Sequence, residues 1–356
     1  MVRLQPRLRP LLALLLVACL FLQMTEASTG DHLPEFRECV KICKRENCDT
    51  EDPTPIPFHR RLLLWTCPKE CDYTCQQIVT SRRRAAGQPV TQFHGKWPFV
   101  RVLGVQEPFS VLFSLGNMAA HHQGLVKLRR HIPPSYPLRR YYESFAIFGI
   151  VSWVFSTIFH TRDFRLTEQL DYFAAGASVL YGLYYAVVRI FRLDDEDRIT
   201  VPVPVPVPAP LARSRGRGIG GGRVAGVSAL RAWTATCCAL YAGHVAYLKL
   251  WRWSYTYNMA ANVVVGVLQN SLWTWFSYVR WKESRRTWAF LPGVAVTWIM
   301  MAMGFELLDF PPLWGAIDAH SLWHLGTIVP IVLWYNFMVK DSEDEIAKSR
   351  DKVLKA

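Results

Sequence analysis

Acidic residues are scarce in this chain of 356 residues: 28 Asp and Glu stand against 41 Lys and Arg, for a net charge of +13. A basic balance of that size suits a nucleic-acid partner only where basic residues form a stripe with stacking aromatics. No such stripe lies outside the apolar stretches, which excludes nucleic acid. Mean hydropathy is also low, only +0.09, although 51% of the residues are hydrophobic and 13% aromatic. The apolar residues must therefore be clustered rather than spread. Basic residues gather at the ends of those clusters, the charge signature of membrane segments. Of nine cysteines, Cys19 lies in the first apolar run, and only Cys237 and Cys238 fall in the later apolar stretches.

The first 27 residues read as a signal peptide. Arg3, Arg7 and Arg9 form a charged start, 11–22 an apolar core, and Thr25-Glu26-Ala27 a cleavage site. The competing reading is a short uncleaved anchor; either way the following segment, 28–95, enters the secretory lumen. Six cysteines cluster there as Cys39, Cys43, Cys48 and Cys67, Cys71, Cys75. An even count in an oxidising compartment predicts disulfides, with fifteen connectivities open for six cysteines. A zinc knuckle is the alternative, disfavoured because an oxidising lumen removes the thiolates that zinc needs. Pro53, Pro55 and Pro57 break the middle of the segment, so two short helical pieces with Cys on successive turns would bring the clusters together.

Seven apolar stretches follow at about 105–124, 141–160, 170–191, 228–249, 258–279, 288–307 and 319–339. Each approaches the roughly 20 residues a helix needs to cross a bilayer. The expected fold is an all-α membrane protein with seven transmembrane helices (residues 96–340) behind an N-terminal disulfide-rich luminal segment. The odd-numbered connections are the basic ones, carrying Lys127, Arg129, Arg130, Arg139 and Arg140, then Arg189 and Arg192, then Arg280, Lys282, Arg285 and Arg286. That asymmetry predicts a luminal N-terminus and a cytosolic C-terminus, with 341–356 as a charged cytosolic tail. Residues 194–226 hold Val-Pro repeats and an Arg/Gly run, which cannot pack a core and read as a disordered cytosolic loop.

Five polar residues break the apolar pattern. Ser156 and His160 lie four apart at the end of the second stretch, Asp171 opens the third, and His320 and His324 lie four apart at the start of the seventh. A charge at bilayer centre costs roughly 2.5–3.5 kcal/mol on insertion scales, so such residues are functional candidates. The topology puts all five at one depth, near the luminal headgroup boundary. Residues four apart share a helix face with Cβ atoms roughly 5–6 Å apart. Two imidazoles so placed can reach one zinc at about 2.0–2.1 Å, with His160 as third ligand and a fourth position open for water. A water held there would ionise near neutral pH. Asp171 could accept its proton or orient a ligand, and Ser156 could donate to a developing oxyanion.

Other polar positions are less telling. His244 reads as a packing residue, and His121 and His122 as interfacial residues at the cytosolic end of the first span. Gln106, Glu107 and Asn117 either line the site or cap and pack the first helix. Asp318 is an outer-shell candidate, and Trp323 an interface anchor.

These residues resemble the CREST superfamily of seven-helix membrane hydrolases, and more narrowly its phospholipases A2 that remodel glycosylphosphatidylinositol (GPI) anchors. The matching strings are the Cys39 to Cys75 pattern, Val105-Gln106-Glu107-Pro108-Phe109-Ser110 and Ser152-Trp153-x2-Ser156-x3-His160-Thr161-Arg162-Asp163. Asp171-Tyr172, Leu307-Leu308-Asp309-Phe310-Pro311-Pro312 and Asp318-Ala319-His320-x2-Trp323-His324 complete them. The Val-Pro and Arg/Gly stretch departs from the family, which has a short connection there. The resemblance implies zinc-dependent removal of the sn-2 unsaturated acyl chain from GPI-anchored proteins. It also implies residence in the Golgi membrane, with the endoplasmic reticulum second; the tail, ending Lys352-Val353-Leu354-Lys355-Ala356, lacks a standard dilysine signal. A ceramidase-like lipid amidase using the same residues is one alternative. A seven-helix receptor or scaffold with a structural metal is the other.

Overall fold

The computed structural model describes residues 28–52, 54–194 and 221–354. The signal-peptide reading, most of the low-complexity loop and the last two residues lie outside them. Among the described residues the chain is helical, with pairings between extended residues confined to isolated bridges such as Phe93 with Lys96. Three helices precede the apolar part: α1 (Pro34–Asn47), α2 (Phe58–Leu62) and α3 (Cys67–Ala85). Seven long ones follow: α4 (Pro108–His131), α5 (Arg139–Thr161), α6 (Arg165–Ile190), α7 (Gly221–Ala246), α8 (Tyr255–Ser284), α9 (Leu291–Leu308) and α10 (Ala319–Leu354).

Each of the seven overlaps one of the apolar stretches. Four are long and apolar enough to cross a membrane: Arg139–Thr161, Arg165–Ile190, Thr287–Glu306 and Ala319–Asp351. That makes this a multi-pass membrane protein; α4, α7 and α8 have the length but fall short on apolarity. Two boundaries differ from the sequence reading. Helix α7 begins at Gly221, inside the stretch read as loop, and α10 runs on through the charged tail to Leu354.

The chain divides into two compact units. The first comprises the N-terminal module, the start of α4 to Asn117, residues 153–171 and residues 299–328. In the module, α1 presents Cys39 and Cys43 one turn apart, and α3 presents Cys71 and Cys75 likewise. They pair as Cys39–Cys75 and Cys43–Cys71, with Cys48–Cys67 closing the set. The nesting follows from two antiparallel helices packed side by side. Phe36, Val79 and Phe93 complete a small core, with the Phe36 and Phe93 rings 4.7 Å apart. Gly30 lies under Phe93; a Cβ there would stand 2.4 Å from the Gln92 carbonyl oxygen. A core this small needs crosslinks. Replacing Cys39 and Cys75 together by serine is expected to cost about 2–5 kcal/mol. Faster proteolysis of the module is the readout; an unchanged rate would show that the apolar core suffices alone.

Three polar contacts fix the module to the 309–318 connection between α9 and α10. Trp97 Nε1 donates to Asp309 at 2.8 Å, Gln92 Nε2 to the same carboxylate at 3.1 Å, and Val100 N to the Gly315 carbonyl at 2.7 Å.

The second unit holds 118–152, 172–298 and 329–356. Its core is aromatic, centred on the fully buried Trp273, Tyr142, Tyr185, Tyr335 and Phe337. His121, expected at an interface, is instead buried. Its Nδ1 bonds the Tyr335 hydroxyl at 2.7 Å, and Gly149 leaves room for its ring. The misreading arose because α4 continues to His131, so His121 is not at a helix end. Below this core, Arg189 grips Asp341 with two bonds of 2.6 and 2.8 Å, and Arg280 reaches Asp344 at 3.2 Å. The basic ends of α6 and α8 are thus paired with the acidic start of the tail, which is why the tail is helical. His244 packs as expected, stacked on Tyr257.

Candidate metal centre

Every residue of the candidate site belongs to the first unit. Helix α5 carries Ser156 and His160 on its last turns. Helix α10 carries His320 and His324 on its first two, started by an Asp318 cap whose Oδ1 accepts from Ser321 N at 2.8 Å. That bond engages the side chain read as an outer-shell candidate in starting the helix. One nitrogen from each of His160, His320 and His324 lies within 4.8 Å of the others. His160 and His324 are buried, whereas the His320 side chain is 38% exposed, so access to the centre is from the His320 side.

The outward nitrogens are all engaged. His160 Nδ1 donates to Glu107 at 2.6 Å, and His320 Nδ1 to Glu306 at 2.7 Å. His324 Nδ1 lies 3.3 Å from the Ser110 carbonyl oxygen and 3.0 Å from Ser114 Oγ. Carbonyl and carboxylate oxygens only accept, so each Nδ1 carries the proton. In its neutral form each ring then offers an Nε2 lone pair to the common centre. His320 and His324 Nε2 are 3.1 Å apart. Two nitrogens bound tetrahedrally to one zinc at about 2.0–2.1 Å lie roughly 3.3 Å apart. Converging lone pairs repel unless a cation sits among them. The donor set, its separation and the carboxylate–histidine bracing therefore fit a zinc-type ion.

Ser156 is buried and shares a 3.1 Å hydrogen bond with Ser114. Since His324 Nδ1 gives its proton to Ser114 Oγ, the Ser114 hydroxyl is free to donate to Ser156. The Ser156 proton is then left for a third party. Asp171 makes no side-chain hydrogen bond to a described residue, but its charge acts on both His160 and His320. Asn117 packs α4 against α10, donating to the His324 carbonyl at 2.7 Å.

Sequence reading left Glu107 undecided and passed over Glu306, Ser110, Ser114 and Lys96. Glu306 had a usable signal, as the single charged residue of α9. Lys96 did not: it lies in the polar N-terminal region. Its Nζ bridges Glu107 at 2.7 Å and Asp163 at 3.1 Å. Those two carboxylates hold the ammonium above its ordinary pKa against the cost of its burial.

The fold and the centre define a multi-pass, all-helical membrane protein with a three-histidine site braced by carboxylates. The chain belongs to the Per1-like family, whose family model matches residues 57–342. It is similar to the fission-yeast Protein PER1 homolog from Schizosaccharomyces pombe, at 36% identity over 94% of this chain and 93% of that protein. The human protein named GPI-specific phospholipase A2-like PGAP3 is 34% identical over 92% of this chain and 94% of its own length. Post-GPI attachment to proteins factor 3 from Drosophila melanogaster is 35% identical over 91% and 90%. No solved structure matches the chain.

Proposed function

We propose that the chain is a zinc-dependent lipid ester hydrolase that removes the sn-2 unsaturated acyl chain from the GPI anchors of membrane-attached proteins. The observation that carries this is the convergence of three Nδ1-protonated histidines on one centre. The printed names of the human and fly relatives, which match nearly end to end, supply the substrate class. When bound, a zinc ion supplies Lewis acidity to a carbonyl and brings the pKa of a water to about 7.

The remaining chemistry belongs to the side chains. His160, His320 and His324 hold the ion, and Glu107 and Glu306 hold two of the rings in register. Asp171 takes the proton of the attacking water. Ser156, its own acceptor position filled by Ser114, donates to the oxygen that becomes negative as water adds. The acyl–oxygen bond then breaks, Asp171 returns its proton to the leaving glycerol oxygen, and a fatty acid and a lyso lipid result. The basic odd-numbered connections favour a luminal N-terminus, which sets the centre at headgroup depth of the luminal leaflet, where a GPI lipid resides. A Golgi membrane is the proposed location, and seven spans the proposed topology.

Purified protein given a GPI lipid with unsaturated sn-2 chains is expected to release unsaturated fatty acid and lyso-GPI. Release of sphingoid base from ceramide instead, or no turnover of either lipid, would overturn the reading in favour of an amidase or a receptor.

A further inference from the structure

The N-terminal module meets the end of α5 through a cation cluster that the proposed reaction leaves unused. Trp65 is buried, its Nε1–H donating to the Gly104 carbonyl at 2.8 Å. The guanidinium carbon of Arg101 lies 3.2 Å from the Trp65 ring centroid, and that of Arg162 lies 3.5 Å away. Two guanidiniums satisfy both distances only from opposite faces, so the indole is sandwiched. Arg101 pairs with Glu70 at 3.1 Å, and Glu70 is shared with Arg60 at 2.9 Å.

Among the described residues, Arg162 has no carboxylate within ion-pair distance. Its Nη1 donates to the Asp163 carbonyl at 3.1 Å, while the Asp163 carboxylate is taken by Lys96. Its Nε is buried without a hydrogen-bond partner, and the residue keeps only 8% of its exposure. Two guanidiniums therefore flank Trp65, and only that of Arg101 is within ion-pair distance of a described carboxylate.

A buried, unpaired charge is costly to maintain. A guanidinium fork matches the oxygens of a phosphate, and its weak hydration suits a site at the membrane boundary. Arg162 also stands two residues beyond His160, continuing the last turn of α5 through a bond from its N to the Ile158 carbonyl at 3.0 Å. Only a few covalent bonds separate the phosphodiester of a glycerophospholipid from its sn-2 ester. We propose that Arg162 binds the phosphate of a glycerophospholipid and so registers the lipid with its acyl ester toward the histidine centre. The identity of the lipid rests on the reading above; the anion site rests on the unpaired guanidinium.

The test uses the purified full-length protein in detergent and reads binding without turnover. Labelled dioleoyl phosphatidylinositol is the probe, dioleoylglycerol the neutral control and inorganic phosphate the competitor. R162Q is expected to bind phosphatidylinositol at least about tenfold more weakly than the parent chain, the loss of one charge-assisted contact, with dioleoylglycerol binding unchanged. R162K should fall between them. Displacement of the probe by millimolar phosphate identifies a general phosphate site; resistance to it identifies a lipid headgroup site. Both assign the anion to Arg162.

Equal binding of phosphatidylinositol by the parent chain and R162Q would mean that Arg162 merely packs on Trp65, and overturns the proposal. Should R162Q fail to fold, the parent chain decides alone: its melting temperature must be higher with phosphatidylinositol than with dioleoylglycerol. A chain that binds through Arg162 yet hydrolyses nothing keeps this inference and removes the proposed reaction. Hydrolysis of GPI with no effect of R162Q on affinity does the reverse.

Discussion

Alanine in place of His320 is expected to empty the centre of metal and lower ester hydrolysis by at least about a thousandfold, with the protein still folded. His160→Ala and His324→Ala should do the same. Each substitution removes one of three Nε2 lone pairs, and two neutral imidazoles hold a zinc ion far less tightly than three. His320 is the most informative position because it is the part-exposed member, so its loss disturbs packing least. Its removal also leaves Glu306 without the Nδ1–H that now meets it at 2.7 Å. Metal content by elemental analysis and turnover on a GPI lipid are read together, with the melting temperature as the folding control. An active His320→Ala protein with full metal content would end the three-histidine reading. Chelation of the parent chain should abolish turnover as well, and added zinc should restore it.

Glu107→Gln is expected to weaken metal binding by about 10–100-fold, the usual effect of losing a carboxylate behind a ligating histidine. Glutamine has nearly the same shape and still accepts a hydrogen bond from His160 Nδ1. What it lacks is the charge that makes His160 a stronger donor ligand and that partly neutralises Lys96. Lys96 keeps Asp163 at 3.1 Å, so the ammonium is not left unpaired and the module should remain in place. A competitive chelator titration gives the affinity directly. Glu70→Gln, which alters a carboxylate of the same unit bonded only to arginines, is the control and should leave metal affinity unchanged. Equal affinity in the parent chain and Glu107→Gln would reduce Glu107 to a partner of Lys96.

These two substitutions separate what could be read along the chain from what could not. The histidines were legible because a titratable group inside an apolar stretch stands out against its surroundings, and because spacing by four puts two rings on one helix face. Glu306 obeys the same rule and was within reach. Glu107 was not decidable from sequence, since a carboxylate just before a helix is equally a cap. Only the 2.6 Å bond to His160, across 53 residues, distinguishes the two. Ser156 was placed near the site by sequence, but its direction of donation comes from Ser114 on another helix. Asp318, an outer-shell candidate by sequence, has a second use that only the structure reveals: its Oδ1 begins α10, while its charge acts on His320.

By itself, the sequence determined that the chain is helical and membrane-embedded, that its six N-terminal cysteines pair, and which imidazoles could meet. Each follows from one-dimensional pattern, because apolar run length, charge asymmetry and spacing by four act locally along a helix. Tertiary structure alone decided which cysteine joins which and which nitrogen of each ring carries the proton. It also decided that Arg162 forms no ion pair with a described carboxylate. Those properties depend on groups brought together from distant parts of the chain, and hydrogen bonds and ion pairs are fixed by distances of a few tenths of an ångström that no pattern along the chain encodes.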